Sequence, residues 1–302
     1  MKTRLCLLAL LAAFLGGLVV RQSPAGAADP IIVASGDIAC APGDTVNECR
    51  DEDTAALLPG NGVVLPLGDN QYKKGTLSEY EAVYDKSWGA FKSQSRPVPG
   101  NHEYKTLDAA GYYDYFGAKA GDPIKGYYSY DVGAWHLVAL NSNCNNTLGR
   151  GVPGGCRSTS PMIRWLVQDL AADSHLCELV YFHHPRFSSS SPETRSMHTA
   201  WKKMLPAGVD VVLSGHQHNY ERFAPQDADG QRTSDGIRQF VVGVGGESFH
   251  PFDTGRLPNS RASNADTFGV LKMTLRSTGY DWSFVPIEGA SFTDTGSARC
   301  HT

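Results

Sequence analysis

The chain has 302 residues, of which 41% are hydrophobic, 10% aromatic and 19% charged, and its formal net charge is −4. This composition excludes a disordered or collagen-like chain and supplies enough apolar side chains for a substantial core. The chain has no cluster of Lys and Arg residues and no excess of positive charge, which argues against a nucleic-acid-binding surface.

The N-terminus carries an uncharged apolar run typical of an export signal. The run extends over Leu5–Val20, follows Lys2 and Arg4, and is shorter than the roughly 20 residues of a membrane-spanning helix. The small residues Ala-Gly-Ala then form a signal-peptidase pattern. We therefore predict a secretory signal peptide over residues 1–27 and an extracellular protein with no stable membrane anchor after its removal. An uncleaved anchor is the alternative interpretation.

Beyond the signal, short apolar runs alternate with amphipathic stretches. Residues 28–302 contain no repeat and no Pro- or Ser-rich linker, so a single domain is predicted for them. Apolar runs are typical of strands covered on both faces, and they occur at Ile31–Ala34, Val63–Leu67, Leu179–Phe182 and, interrupted only by Asp210, Val209–Leu213. Helices are predicted from a capping box at Thr76 to about Phe91, from Ser160 onward, and from about Glu193 to Leu205. Three further strands are predicted at Gln239–Val244, Gly269–Leu275 and Tyr280–Pro286.

This order of elements predicts an α/β fold in which two sheets pack together with helices outside them.

Six cysteines follow the predicted signal, and an even number in an exported chain indicates up to three disulfide bonds. Sequence spacing favours two short closed loops and one long-range pair, namely Cys40–Cys49, Cys144–Cys156 and Cys177–Cys300. Other pairings of six cysteines stay open at this point. A zinc ribbon is disfavoured because the chain has no CxxC pair.

Polar residues follow five of the strands or extended segments. These polar stretches are Gly36-Asp37, Gly68-Asp69-Asn70-Gln71-Tyr72, Gly100-Asn101-His102-Glu103, His183-His184 and Gly215-His216-Gln217-His218. Ligands of α/β sheets bind beyond the carboxyl ends of the strands, so these side chains are expected to meet. Each segment alone is also compatible with a turn or a core histidine.

Together, the polar side chains predict a metal centre, because unpaired buried charge is costly and metal cations neutralise it. The candidate ligands are Asp37, Asp69, Tyr72, Asn101, His183, His216 and His218. Oxygen and imidazole donors without thiolate favour Mn, Fe or Zn. Seven ligands suit two ions rather than one, with Asp69 as the bridge. A pair of ions stabilises both the attacking and the leaving oxygen of a displacement at phosphorus, so the leading prediction is phosphoester hydrolysis.

These motifs resemble those of the calcineurin-like metallophosphoesterase superfamily, and most closely those of compact purple acid phosphatases. The resemblance rests on GDIA (36–39), GDNQY (68–72), GNHE (100–103), VYFH (180–183) and GHQHNYER (215–222). It implies a four-layer αββα sandwich of two mixed sheets flanked by helices. It also implies one ion on Asp37, Asp69, Tyr72 and His218, and a second ion on Asp69, Asn101, His183 and His216.

One position departs from the pattern of many superfamily members. Residue 39 is Ala, where those members have a histidine ligand. The resemblance implies that Tyr72 compensates by binding Fe(III) as a phenolate, with Zn, Fe or Mn as the divalent partner. Fe(III) withdraws more charge from bound water than a divalent ion, which favours activity below neutral pH. A packing role for Tyr72 is the alternative.

Three further histidines are candidate catalytic residues. His102 is expected to stabilise the transferring phosphoryl group or to protonate the departing alkoxide, or else only to orient ligands. His184 is also a candidate, although its position next to a ligand suggests that it points to the opposite side. His198 is a candidate as well, although a histidine on the face of a helix is the plainer interpretation. Glu103 is expected to form hydrogen bonds, and Arg222 is a possible phosphate clamp.

The predicted function is that of a secreted dinuclear-metal phosphatase. Its small phosphorylated substrate is expected to be a phosphomonoester, hydrolysed by in-line attack of a metal-bound hydroxide. A phosphodiesterase on the same fold is one alternative, and a non-catalytic secreted protein that binds metal or phosphate is another. Oligomeric state is not predicted.

Overall fold

The computed structural model describes residues 28–145, 151–190, 195–252 and 255–301. The predicted signal peptide lies outside these ranges. None of the helices formed by the described residues has the length and apolarity needed to cross a membrane.

The described residues form twelve strands and five α-helices. The strands are β1 (Ile31–Ser35), β2 (Val63–Pro66), β3 (Tyr128–Val132), β4 (Trp135–Ala139), β5 (Cys177–Tyr181), β6 (Val211–Ser214), β7 (Tyr220–Phe223), β8 (Arg238–Val242), β9 (Ser260–Asn264), β10 (Gly269–Arg276), β11 (Gly279–Pro286) and β12 (Thr295–Arg299). The helices are α1 (Asp51–Ala55), α2 (Leu77–Ala82), α3 (Ala110–Phe116), α4 (Pro161–Ala172) and α5 (His198–Met204). Short 3-10 turns occur at Tyr84–Lys86, Trp88–Gln94, Glu103–Lys105, Leu107–Ala109, Gly117–Ala120, Arg195–Met197 and Leu205–Ala207.

Two mixed sheets contain these strands. The first sheet has five strands in the order β12-β11-β10-β1-β2, and the second has seven in the order β3-β4-β5-β6-β8-β7-β9. The strands that precede the polar segments are parallel to their neighbours: β1 pairs with β2, and β4, β5, β6 and β8 pair in succession. Their carboxyl ends therefore point the same way within each sheet, which is the arrangement that gathers loop side chains at one edge.

Side chains alternate between two cores along each central strand. In β1, Ile32 and Ala34 belong to the core between the sheets, whereas Val33 packs under α2 and α3. In β5, Leu179 faces the other sheet and Val180 packs under α4 and α5. Burial on both faces explains why these strands are apolar throughout. The result is a four-layer αββα sandwich, which confirms the predicted fold class.

The predicted helix from Thr76 to about Phe91 is wrong beyond Ala82. The capping box forms as predicted, because Thr76 Oγ1 accepts from the Glu79 amide and Glu79 Oε2 accepts from the Thr76 amide. The helix then ends because the amide of Tyr84 donates to Gln71 Oε1 at 3.0 Å instead of continuing the helical pattern. The chain proceeds to residue 94 as 3-10 turns. The third predicted helix is shorter than expected and begins at His198, while Glu193 lies outside the described residues.

The three disulfide bonds confirm the pairing favoured by sequence spacing. Their Cα atoms are 5.8 Å apart in Cys40–Cys49, 5.1 Å in Cys144–Cys156 and 5.4 Å in Cys177–Cys300. The last bond joins the beginning of β5 to the chain just after β12, across 123 residues of sequence. It therefore links the two sheets.

Removal of the long-range disulfide is expected to destabilise the protein. The Cys177→Ser/Cys300→Ser variant should lose about 4 to 5 kcal/mol of unfolding free energy, because the unfolded chain regains the entropy of a loop of 123 residues. Urea unfolding of the variant and the wild type measures the difference. Cys40→Ser/Cys49→Ser is the matched control and should lose less, since its loop spans only 9 residues. Equal losses would contradict the prediction.

Candidate metal centre

Two aspartates lie at the heart of the site, directly after β1 and β2. Asp37 and Asp69 both have positive φ, 59° and 47°, which is uncommon for residues other than glycine and is concentrated at functional sites. The Asp37 amide donates to the Gly68 carbonyl at 3.1 Å, and the Ile38 amide donates to the Asp69 carbonyl at 3.0 Å. These bonds hold the two loops side by side. Both aspartates are buried, with exposed fractions of 0% and 2%.

One half of the cluster surrounds the phenol of Tyr72. Tyr72 Oη lies 2.9 Å from Asp37 Oδ1, 3.2 Å from Asp69 Oδ2 and 2.9 Å from His218 Nε2. His218 Nε2 is also 3.2 Å from Asp37 Oδ1. The structure thus brings together the four residues predicted for the first ion.

The other half surrounds the ring of His183. His183 Nε2 lies 3.2 Å from both Asp69 Oδ2 and Asn101 Oδ1. The His216 ring follows with its centroid 5.0 Å from that of His183, and the His216 amide donates to Asp37 Oδ2 at 2.7 Å. The four residues predicted for the second ion therefore also lie together. Asp69 is the residue shared by both halves.

Hydrogen bonds to the far ring nitrogens orient two of the histidines. His183 Nδ1 donates to the Leu67 carbonyl at 2.9 Å. His218 Nδ1 donates to Ser248 Oγ at 2.8 Å, while the Ser248 hydroxyl donates to Glu247. In both rings Nε2 is left facing the aspartates. Such outer partners are typical of histidines that bind metal ions.

Glu103 braces the loop that carries Asp69. Its buried carboxylate accepts from the amides of Asp69 (2.9 Å), Asn70 (2.9 Å) and Gly100 (2.6 Å), and from the Tyr80 hydroxyl (2.9 Å). The expected hydrogen-bonding role of Glu103 is therefore confirmed. The side chain organises the backbone of two adjacent loops rather than facing the cluster.

The charges of the cluster perturb one another strongly. Burial opposes ionisation of Asp69, but the His183 imidazole prevails and lowers the pKa of this carboxyl. Burial also acts against His183, yet Asp69 raises its pKa to about 9. Burial and then Asp37 and Asp69 raise the pKa of Tyr72 well above its usual range. Burial and the neighbouring His183 lower the pKa of His216 to about 4.

The donor set fits metal ions. Among the residues that the structure describes, Asp37 and Asp69 form ion pairs with histidines but none with lysine or arginine. The ligating atoms of Asp37, Asp69 and His183 all lie within 4.8 Å of one another. Carboxylate, amide and imidazole donors suit Mn, Fe or Zn, and a cation would neutralise the buried carboxylates. A cation would also stabilise the phenolate of Tyr72, which the two aspartates otherwise disfavour.

The remaining sequence candidates have different positions. His102 lies at the cluster: its amide donates to Asp69 Oδ1 at 2.6 Å and its ring centroid is 4.1 Å from that of Tyr72. His184 does not point to the opposite side as expected, because its ring centroid is only 4.4 Å from that of His216.

Two candidates lie elsewhere. His198 is paired with Asp229 through Nε2 at 2.9 Å and lines neither of the cavities at the cluster, so the structure does not place it with the catalytic candidates. The plainer interpretation, a helix-surface histidine, fits this position. Arg222 is not a phosphate clamp, because Asp294 accepts from both its Nε and its Nη2.

A cavity of about 330 Å³ opens onto the cluster. Its walls include residues that the sequence reasoning missed, namely Asn47, Lys73, Glu247, Ser248 and His250. The last three lie five to eight residues after the end of β8, and the His250 ring stacks on that of His218 at 3.8 Å. The same signal, polar residues after a strand, was available for this segment.

Comparison with known proteins agrees with this site and fold. The family model of calcineurin-like phosphoesterases matches residues 31–220, more than half of the chain. The chain therefore belongs to the calcineurin-like phosphoesterase family. Within it, the chain resembles the purple acid phosphatases.

Two plant proteins illustrate this resemblance. The chain is 24% identical to the "probable inactive purple acid phosphatase 1" of Arabidopsis thaliana over 80% of its own length and 45% of that protein. It is 25% identical to a "nucleotide pyrophosphatase/phosphodiesterase" of Hordeum vulgare over 80% of its own length and 75% of that protein. The chain thus spans less than half of the Arabidopsis relative.

Solved structures share the fold. The purple acid phosphatase PPD1 from yellow lupin superposes with a TM-score of 0.68 at 19% identity, over 89% of this chain and 53% of that one. GAP50 of Plasmodium superposes with a TM-score of 0.62 at 13% identity, over 91% of this chain and 90% of that one.

Proposed function

We propose that this protein is an exported phosphomonoesterase that works with two metal ions. One ion would be held by Asp37, Asp69, Tyr72 and His218, and the other by Asp69, Asn101, His183 and His216. The observation that carries the proposal is the convergence of these donors on Asp69, whose carboxylate lies 3.2 Å from both Tyr72 Oη and His183 Nε2. When bound, two such ions supply a nucleophilic water of lowered pKa and neutralise charge on the phosphoryl group.

The charge around the cavity mouth favours a monoester over a diester. Lys73 lines the cavity, and Lys105 Nζ lies 2.9 Å from His102 Nε2. A phosphomonoester carries up to two negative charges and a diester one, so these cations attract the monoester more strongly. Both lysines are exposed, so they are accessible to a small phosphorylated substrate.

His102 is placed to deliver a proton to the leaving group. Its Nδ1 donates to the Lys73 carbonyl at 2.8 Å, which leaves Nε2 4.0 Å from Asp69 Oδ2 and beside the cavity. Burial lowers the pKa of His102. Asp69 raises this pKa and Lys105 lowers it, and the net shift is downward. A lowered pKa makes the imidazolium a stronger acid toward a departing alkoxide.

His102→Gln is expected to slow the hydrolysis of glycerol phosphate by about 100-fold, in line with general-acid catalysis. With p-nitrophenyl phosphate the loss should be below about 10-fold, because nitrophenolate departs without protonation. Steady-state kinetics with both substrates measures the two losses. His198→Gln is the matched control and should leave both rates unchanged. Equal losses with the two substrates would contradict a general-acid role.

The experiment that tests the function compares p-nitrophenyl phosphate with bis-p-nitrophenyl phosphate, which share the leaving group. We expect a higher kcat/KM for the monoester. The Hordeum vulgare relative, named as a phosphodiesterase, supports diester hydrolysis as the second candidate. A strong preference for the diester would replace the proposed function with that candidate.

A non-catalytic role is the candidate from another class. The name of the Arabidopsis relative includes the word "inactive", so a protein without catalytic activity is a specific alternative to test. Here all seven donor residues are present and clustered, which supports catalysis. No turnover of either ester by protein that contains two metal equivalents would favour the non-catalytic role.

For the metal identities we propose Fe(III) beside Tyr72 and Zn, Fe or Mn in the second position. Purified protein should then show a visible charge-transfer band that is absent from Tyr72→Phe, because the band requires a ferric phenolate. Visible absorption with elemental analysis measures this. A colourless, iron-free and active wild-type protein would contradict the assignment.

We also propose that residues 1–27 are removed during export and that residues 28–302 form one catalytic domain. The three disulfide bonds support an oxidising compartment. The mass of the protein collected outside the cell should correspond to a chain that begins at residue 28. An intact N-terminus would overturn this proposal.

A further inference from the structure

A second cluster of metal-binding side chains lies at the opposite end of β5 from the catalytic centre. It contains Asp131 at the end of β3, His136 in β4, Asp173 just after α4 and His175 before β5. In β5, residue 178 stands beside His136, and His183 follows five residues later. An extended chain rises about 3.3 Å per residue, so these five residues separate the two centres by roughly 16 Å.

The four side chains already approach one another closely. Their ligating atoms all lie within 4.8 Å of each other. His136 Nδ1 is 2.8 Å from Asp131 Oδ1 and 3.9 Å from Asp173 Oδ1, and His175 Nδ1 is 2.6 Å from Asp173 Oδ1. These distances bracket the roughly 3.3 Å between ligands of tetrahedral zinc.

The other nitrogen of His136 has the partner that a zinc-binding histidine commonly has. His136 Nε2 lies 3.0 Å from Asp169 Oδ2, and Asp169 Oδ1 accepts from the Ser129 hydroxyl at 2.8 Å. A carboxylate in this position fixes the ring and strengthens the nitrogen that faces the metal.

Glu178 provides an independent observation. The residue is only 6% exposed, and its Oε2 has no hydrogen-bond partner in the part of the chain that the structure describes. Glu178 is the register partner of His136 on neighbouring parallel strands, so both side chains project from the same face of the sheet. Burial and then Asp173 raise the pKa of Glu178 to about 7.

An unpartnered buried carboxylate is costly, and a nearby cation relieves that cost. Asp131, Asp169 and Asp173 pair with His136 or His175, so within the described ranges the buried carboxylate without a hydrogen-bond partner at one oxygen is Glu178. A cavity of about 660 Å³, lined by His175 and Glu178 among others, leads to this region from solvent.

We propose that Asp131, His136, Asp173 and His175 bind one Zn²⁺ ion, with Asp169 orienting His136 and the charge of Glu178 balanced by the ion. Binding requires neutral His136, so zinc displaces its Nδ1 proton to solvent. The bound ion would tie the β3–β4 hairpin to the end of α4. The site is distinct from the catalytic centre and does not rest on the proposed function.

The test measures zinc in tag-free full-length protein after equilibrium dialysis against Zn²⁺ and removal of unbound metal. The wild type should hold one zinc equivalent more than His175→Ala, whose side chain is partly exposed and whose loss leaves the core intact. His198→Ala, another histidine paired with an aspartate, is the matched control and should retain the wild-type content. Equal zinc contents in the wild type and His175→Ala would overturn the proposal.

Two further measurements separate a zinc site from a network of hydrogen bonds. Asp169→Asn should bind this zinc about 10- to 100-fold more weakly. Added Zn²⁺ should raise the Tm of the wild type more than that of His175→Ala, because only the former has the site.

Asp69→Asn should keep this zinc equivalent while its catalytic centre is impaired, so failure of the phosphatase function is distinguishable from failure of the zinc site. Loss of the zinc in Asp69→Asn would also contradict the proposal.

Discussion

Asp69→Asn is expected to lower phosphatase activity by more than about 10³-fold, because it disrupts both halves of the metal centre at once. Asp69 Oδ2 lies close to Tyr72 Oη and His183 Nε2. Asp69 Oδ1 accepts a hydrogen bond from the His102 amide. An amide of the same shape cannot neutralise two cations, so metal content should fall together with activity. Steady-state rates with p-nitrophenyl phosphate and elemental analysis of the same sample measure both effects.

Asp229→Asn is the matched control for this substitution. Asp229 is an exposed aspartate that also accepts from a histidine, His198, but it lies outside the cluster. Its replacement should leave activity and metal content at the wild-type level. Near-normal activity of Asp69→Asn would contradict the bridging role.

Glu103→Ala is expected to lower the free energy of unfolding by about 5 kcal/mol. The substitution removes the acceptor of four backbone amides, those of Asp69, Asn70, Gln71 and Gly100, and of the Tyr80 hydroxyl, and each buried donor left without a partner costs about 1 kcal/mol or more. Urea unfolding of the variant and the wild type measures the loss. The loop that carries Asp69 should also lose its shape, so activity falls even where the protein remains folded.

Glu79→Ala provides the comparison for Glu103→Ala. The Glu79 carboxylate likewise accepts backbone amides, those of Lys74 and Thr76, but at an exposed helix start. Water replaces it there, so the expected loss is about 1 kcal/mol with unchanged activity. Losses of equal size for the two variants would refute the bracing role of Glu103.

The position of the candidate site followed from the sequence because it depends on a simple property of parallel strands. Asp37, Asp69 and His183 each follow an apolar run, and runs of this kind become buried parallel strands whose carboxyl ends meet at one edge. The identity of the polar residues then indicated the metals. Neither step required knowledge of side-chain packing.

Other features depended on contacts between distant parts of the chain. Helix α2 ends early because the Tyr84 amide donates a hydrogen bond to Gln71 Oε1, and Gln71 lies before the helix. Nothing in the local sequence indicates that bond. Strands β9 and β12 have the polar sequences SRASN and TGSAR, so they lack the apolar run that marks a strand. Both lie at sheet edges, where polar residues are tolerated.

The positions of two histidines also depend on contacts between distant parts of the chain. The sequence could not distinguish His184, which packs against His216, from His198, which pairs with Asp229 on the surface. Both follow plausible local patterns, and only the three-dimensional positions of their neighbours separate them.

Anomalous diffraction from crystals of the purified, active protein is the most direct measurement of the central claim. Two adjacent metal peaks are expected, one contacting Asp37, Tyr72 and His218, the other contacting Asn101, His183 and His216, with Asp69 touching both. Active crystals whose density lacks a metal peak between these residues would contradict the account.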